Sequence, residues 1–269
     1  MEVDTGSLIG AGESADVYRQ DGGTILKLFF PHVALHTVER EYAASAAADA
    51  LELLVARPIA IVRVGDRHGL IMRFLNGPVY LRRVAKSPVG MTWALLALAR
   101  WQVRQHARPA PPVDIPEARQ IFAHRLVSSV AGSGAIAVAQ RVVAAYPNGD
   151  RLCHGDLHLG NMIATPDGLA AIDWAKAFIG MPEADVARSE LLIRYGGYGR
   201  FMRRFPLARV MRHVSAEWYL LCYCLFSGRR RRDIMRWRLP VAVAWMQGQE
   251  TMFVPGLTRA IARMTFRFR

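Results

Sequence analysis

The stretch "RLCHGDLHLGNMIATPDGLAAIDW", Arg151 to Trp174, constrains this chain more than any other, because it specifies a hairpin and loads its two ends with polar side chains. Two short apolar runs flank "TPDG", in which Pro166 takes the second and Gly168 the fourth position of a type I turn. A hairpin returns the chain to its start, so Asn161 before the first strand and Asp173 after the second can come together. Asn carbonyl and Asp carboxylate oxygens are the hard ligands that magnesium takes, with phosphate and water completing its octahedron. Asp156, on the same loop as Asn161, is then free to orient and deprotonate an attacking hydroxyl. The chemistry this pattern implies is metal-assisted phosphoryl transfer; the alternative is a polar turn whose Asp and Asn merely cap it.

The rest of the chain supplies a frame for such a site. "SLIGAGESADVYRQDGGTILKLFF" has two apolar runs joined by "QDGG", the composition of a β-hairpin. A helix is predicted from Thr37, as N-cap, to about Val55, followed by the strand-like runs "PIAIVRVG" and "HGLIMRFL", which ends in "NGP". Helical patterns then dominate: "TWALLALARWQVRQHA", "EARQIFAHRLVSSVA", "GAIAVAQRVVAAY", and everything beyond Pro182, with Pro206, Pro240 and Pro255 marking breaks or a kink. No internal repeat is visible. The expected architecture is α+β in two lobes: residues 1–76 as a small nucleotide-binding lobe with an antiparallel sheet and one helix, and residues 77–269 as a larger helical lobe carrying the catalytic loop and acceptor-binding helices.

The string "HGDLHLGN…IDW" resembles the catalytic and metal-binding segments of the aminoglycoside phosphotransferase and choline kinase-like group of the protein-kinase-like superfamily. "IDWAKAFIGMPEADVARSELL" is similar to the continuation in bacterial members, where a Pro and then an Asp open the next helix. The resemblance implies a two-lobed kinase-like fold with ATP and Mg2+ as cofactors. It also implies Asp156 as catalytic base, Asn161 and Asp173 as magnesium ligands, and His154 and Asp185 as supports of the catalytic loop.

A kinase further needs a glycine loop, a strand lysine, a helix glutamate and a hinge, in that order. The candidates are "GAGESA" with Gly10, Gly12 and Ser14, then Lys27, then Glu41, then the backbone around Arg73, Phe74 and Leu75. Ala15 stands where a third glycine would be. Lys27 stands out because the chain has three lysines and uses Arg almost everywhere else, and a guanidinium is not equivalent to an ammonium held between glutamate and phosphates. Glu39 competes with Glu41, two residues away and facing another direction; the resemblance aligns Glu41. His106 and His158 read as packing residues.

Charge bears on the acceptor. Of the formal net charge of +13, residues 200–269 contribute 15 Arg and no Lys against Glu217, Asp233 and Glu250. A site for a polycationic aminoglycoside is expected to gather carboxylates, and only Glu183, Asp185 and Glu190 remain near the loop for a local acidic pocket. The Arg-rich end reads either as a solvated helical surface or as attraction to an anionic acceptor or surface; "SGRRRRDIMRWRLPVAVAWM" has a composition compatible with an anionic membrane. Nucleic acid is not expected as a partner.

With 52% hydrophobic residues the chain is not disordered; Glu2 and Asp4 interrupt its start, and its apolar runs are shorter than a bilayer span. The expected location is the cytoplasm, with Cys153, Cys222 and Cys224 reduced and buried. The expected activity is ATP- and Mg-dependent transfer of the γ-phosphoryl group to a hydroxyl of a small molecule, an antibiotic such as an aminoglycoside or a sugar or alcohol metabolite. The alternatives are a protein, anionic glycan or lipid acceptor, and a nucleotide-binding module without transfer. No "APE" follows Asp173, against a protein kinase, and intact Lys27, Asp156, Asn161 and Asp173 argue against a binding-only module.

Overall fold

The apolar runs of the N-terminal part form an antiparallel sheet: β1 (Ser7–Ala11), β2 (Ala15–Gln20), β3 (Thr24–Phe29), β4 (Pro58–Val64) and β5 (Arg67–Arg73), in the order β1-β2-β3-β5-β4. The structure, a computed structural model, describes residues 6–196, 206–247 and 255–266. The "QDGG" turn joins β2 to β3 with Gly22 and Gly23 both at positive φ, the backbone a tight hairpin favours. Helix α1 (Leu35–Ala50) connects β3 to β4 and buries Val38 against Phe29, Leu70 and Met72 of the sheet.

Both ends of α1 differ from the sequence expectation. The helix starts two residues before Thr37, capped by Ala34 without any side-chain bond, because docking of Val38, Glu41, Ala44 and Ala48 fixes it more than a cap does. It stops at Ala50 rather than near Val55. There Glu52 adopts φ 60°, its N–H donates to Asp49 O (2.9 Å), and the Leu53 N–H donates to Ala48 O (3.1 Å). That is a Schellman closure with glutamate where glycine is usual, so no glycine marks the stop.

The chain leaves β5 and passes Gly77, where a Cβ would lie 2.1 Å from the Ala164 carbonyl, into the helical lobe. There follow α2 (Tyr80–Val84), α3 (Pro88–Gln105), α4 (Ala118–Val127) and α5 (Ser133–Ala145), then β6 (Arg151–Cys153), β7 (Met162–Thr165), β8 (Gly168–Ala171) and β9 (Phe178–Gly180). The last helices are α6 (Pro182–Tyr195), α7 (Pro206–Ser227), α8 (Arg231–Trp245) and α9 (Pro255–Phe266). Helix α3 begins before the predicted Thr92 because the Ser87 hydroxyl accepts the Gly90 N–H and Pro88 takes the first helical position.

Strands β7 and β8 pair from Met162↔Ala171 to Thr165↔Gly168, the hairpin the turn residues specify, while β6 pairs with β9. Helix α6 is buried from Pro182 to Leu191 and packs on α7 and α8; α7 lies along α3. Pro206 and Pro255 open helices, and Pro240 sits inside α8. The three cysteines are free; Cys153 and Cys222 are buried and Cys224 is half-buried. Among the described residues no helix is long and apolar enough to cross a membrane.

Candidate active site

Strand β3, helix α1 and the end of the β7–β8 hairpin converge on one ammonium. Lys27 Nζ donates to both carboxylate oxygens of Glu41 (2.7 and 2.8 Å) and to Asp173 Oδ1 (2.9 Å). Glu41 is buried and Glu39 is exposed, which settles the competition between them for Lys27. Burial alone would lower the Lys27 pKa, but the charges of Glu41 and Asp173 overcome it and push the group above its ordinary value, so it stays protonated. Asp173 is held below the usual carboxylate range by Lys27, against a smaller opposing effect of burial. It adopts φ 66°, a left-handed conformation rare outside glycine, of the kind that clusters at functional sites.

The catalytic-loop residues lie against this triad. The Asn161 carbonyl accepts the Ile172 N–H (3.0 Å), which sets Asn161 beside the residue preceding Asp173. The Asn161 side-chain amide donates to the Asp156 carbonyl (3.0 Å), so the loop is closed on itself. His154 stacks on Trp174 with ring centroids 4.5 Å apart. Its Nδ1 accepts the Asp156 N–H (3.3 Å), so its Nε2 carries the proton given to the Ile172 carbonyl (3.0 Å). Burial lowers the His154 pKa, consistent with this neutral tautomer.

Asp185, the fourth residue of the sequence's "PEAD", sits beneath the loop, fully buried. Its Oδ1 accepts the Gly155 N–H (2.7 Å), and its Oδ2 accepts from the His154 N–H (3.1 Å), Gln102 (3.0 Å), His106 (3.1 Å) and Gln105 (3.3 Å). His106 is thus a packed histidine that also ties Asp185 to Tyr223 (2.9 Å).

Gly155 has φ +77°, and a Cβ there would stand 2.1 Å from the Lys176 carbonyl. Gly155→Ala is expected to cost about 2–4 kcal/mol through strain and overlap combined. A thermal melt unchanged from the parent would show that the loop can yield.

The side chains on Asp156 are ones the sequence reasoning missed. Lys176 Nζ donates to Oδ2 (3.0 Å), and Arg188 Nη2 and Nε donate to Oδ1 (2.8 and 3.3 Å). Burial would raise the Asp156 pKa, but Arg188, then Lys176 and His158, reverse this and hold it well below the usual carboxylate range. The acids expected to form an acidic pocket are all engaged. Glu183 bonds Arg229 (2.6 Å), Glu190 bonds Arg194 and Arg238 (the latter at 2.9 Å), and Asp185 faces the loop backbone.

Gly10 lies in β1, and Gly12 and Ser14 lie on the turn from β1 to β2. Gly10 pairs with Val17, which pairs with Lys27 across the sheet; the Gly12 N–H donates to Ala15 O (2.9 Å); the Ser14 carbonyl accepts the Phe30 N–H (2.9 Å). At the end of β5 the Arg73 N–H donates to Arg57 O (2.8 Å) and the Phe74 N–H to Gly23 O (2.9 Å). Arg73, Phe74 and Leu75 line a cavity together with Gly22, Gly23 and Thr165. His158 accepts the Gly160 N–H (3.0 Å), a packing role within the loop.

The model of a family described as the phosphotransferase enzyme family matches residues 5–197. No sequence among the curated proteins matches the chain. Among solved structures it is similar to a choline/ethanolamine kinase family protein from Mesorhizobium loti, with 14% identity and a TM-score of 0.66 over 97% of this chain and 88% of the other. It is also similar to an aminoglycoside phosphotransferase from Streptomyces rimosus in complex with ADP and streptomycin: 20% identity, TM-score 0.57, 85% of this chain and 90% of that one. A third is the amicoumacin kinase hAmiN, in complex with AMP-PNP and Ca2+: 12% identity, TM-score 0.59, 98% and 88% covered. The fold is therefore the two-lobed kinase-like one.

Proposed function

The chain belongs to the phosphotransferase enzyme family, and from that premise we propose that it is a small-molecule kinase that moves the γ-phosphoryl group of ATP, with Mg2+, onto a hydroxyl. The observation that carries this reading is the single ammonium of Lys27 bonded to both Glu41 and Asp173, with Asn161 held beside Asp173 by the Ile172–Asn161 backbone bond. Neighbours of this fold were solved with nucleotide and with hygromycin B or streptomycin, which supports a nucleotide donor and a hydroxylated acceptor here.

Asn161 and Asp173 suit Mg2+ by their donor chemistry. The Asn161 amide nitrogen is committed to Asp156 O, which leaves its carbonyl oxygen as the ligand atom; Asp173 keeps a second carboxylate oxygen on a side chain 42% exposed. Bound there, the ion supplies neutralisation of charge on the phosphates. Lys27 binds the α- and β-phosphates as a compact charge, and Glu41 fixes its direction. Asp156 orients the acceptor hydroxyl and receives its proton; because it is ionised well below neutrality, it acts by alignment more than by basicity.

Lys27→Arg is expected to raise the KM for Mg-ATP about ten-fold, since a planar fork does not reproduce three tetrahedral bonds to Glu41 and Asp173. An unchanged KM would remove Lys27 from the phosphate site. The function itself is tested by mass-spectrometric detection of phosphorylated products with Mg-ATP and a pooled panel of hydroxylated antibiotics, alcohols and sugars, with Asp156→Asn as control. A product absent from the control supports the kinase; failure of the protein to bind Mg-ATP at all overturns it.

A further inference from the structure

We propose that the acceptor is a small hydroxy acid, carrying a carboxylate or phosphate close to the hydroxyl it presents, and that Lys176 and Arg188 recognise that anion. The inference rests on the kinase reading above and names its substrate class. The acceptor hydroxyl has to come within hydrogen-bond reach of Asp156, about 2.6–3.2 Å from one of its carboxylate oxygens. Each of those oxygens is already bonded to a cation: Oδ2 to Lys176 at 3.0 Å and Oδ1 to Arg188 at 2.8 Å. Whichever oxygen the hydroxyl takes, the atoms next to it on the acceptor lie within about 6 Å of an ammonium or a guanidinium.

Immediately around Asp156 one carboxylate faces two cations, a local excess of one positive charge on the atoms the acceptor hydroxyl has to approach. An ammonium or guanidinium on the acceptor would meet repulsion there. Nor can α6 compensate, because Glu183, Asp185 and Glu190 are bonded to Arg229, to the catalytic loop, and to Arg194 and Arg238.

The two cations are differently prepared. The Arg188 guanidinium lies 4.1 Å from the centroid of the Trp245 ring and its side chain is 10% exposed, so it is held in place before any ligand arrives. The Lys176 side chain is 37% exposed and can swing from Asp156 to an incoming anion while retaining donors for both. In the transfer, the acceptor oxygen forms the new O–P bond, the bond from Pγ to the β,γ-bridging oxygen breaks, and that oxygen leaves with the electron pair on ADP. The hydroxyl proton passes to Asp156 and on to water.

The test compares matched acceptors: glycerol against glycerate and glycerol 3-phosphate, and glucose against glucuronate, with choline and streptomycin as cationic members. Phosphorylation is read by mass spectrometry, and binding to the Mg-AMP-PNP complex by calorimetry. The expected result is a preference for the anionic over the uncharged partner of a pair, in kcat/KM where turnover occurs and in Kd where it does not. Lys176→Gln is expected to shrink that preference about ten-fold. Preference for choline or streptomycin, or an anionic preference untouched by Lys176→Gln, overturns the proposal and leaves the kinase intact. Indifference of both turnover and binding to acceptor charge overturns it as well. Loss of the kinase reading would instead appear as absence of Mg-AMP-PNP binding.

Discussion

Asp156→Asn is expected to lower turnover by about 10³-fold, within the range that a positioned acid–base group contributes, with Mg-ATP affinity within about three-fold of the parent. The amide keeps the shape of the carboxylate and one acceptor oxygen, so the loop contacts through the Asp156 backbone, from its N–H to His154 and from Asn161 to its carbonyl, survive. What disappears is the negative charge proposed to align the acceptor hydroxyl and take its proton. The nucleotide is expected to be held by other groups, Lys27, Asn161 and Asp173, so its affinity has no reason to fall.

Stability does change, because Arg188 is a buried cation that loses its counter-charge; a loss of about 1–3 kcal/mol is expected. Turnover and nucleotide affinity are therefore measured below the variant's own melting transition. Transfer surviving above a tenth of the parent rate would remove Asp156 from the role of base.

Asp185→Ala is expected to destabilise the protein by about 3–5 kcal/mol, the scale for stripping a buried charge from its partners. Five N–H groups converge on this one carboxylate: two backbone amides of the catalytic loop, two glutamine amides and one imidazole. Alanine leaves them facing each other with no acceptor, and none is on the surface. Asparagine is little better, since its amide adds two donors to a place that already has five.

The acid side of the stability curve carries a second signature. Burial would raise the Asp185 pKa, yet the His106 bond, the nearby imidazoles and the Gly155 N–H outweigh it and hold it below its unfolded value. A depressed folded pKa gives stability that is complete above the unfolded value, near 4, and lost as pH falls through the lower folded one. The parent should thus lose stability below about pH 4, and Asp185→Ala should lose less over the same interval. Guanidinium titrations of both proteins at several pH values check this; parallel curves would mean that Asp185 titrates alike in both states.

Much of this site was legible because its chemistry follows chain order. The β7–β8 hairpin was written in "TPDG", and Lys27 in the scarcity of lysine. The same scarcity applies to Lys176, three residues after Asp173, which was nevertheless missed because its target is a carboxylate 20 residues earlier, which no local spacing reveals. Arg188 gave no signal at all, since one arginine among so many cannot be singled out until the turn of α6 that carries it is seen to face Asp156. Gln102 and Gln105 are neutral residues within a largely apolar helix; only the tertiary fold, which sets α3 along α7 and brings both amides to Asp185 of α6, makes them its donors. The end of α1 was hidden for a simpler reason, a left-handed Glu52 where glycine is the usual marker.

The bonds of Lys27 also set an order of assembly. Its bond to Glu41 joins residues 14 apart within the sheet and its helix, whereas its bond to Asp173 spans 146 positions. Closing the longer loop costs more chain entropy, and it has no reward until the helical lobe has gathered around the catalytic hairpin. The first bond requires only elements of the N-terminal segment to be in place; the second requires the catalytic hairpin as well. On loop-closure grounds the Lys27–Asp173 bond is expected to be the later of the two to form, so that the lysine clamp is completed only when both parts of the chain have met.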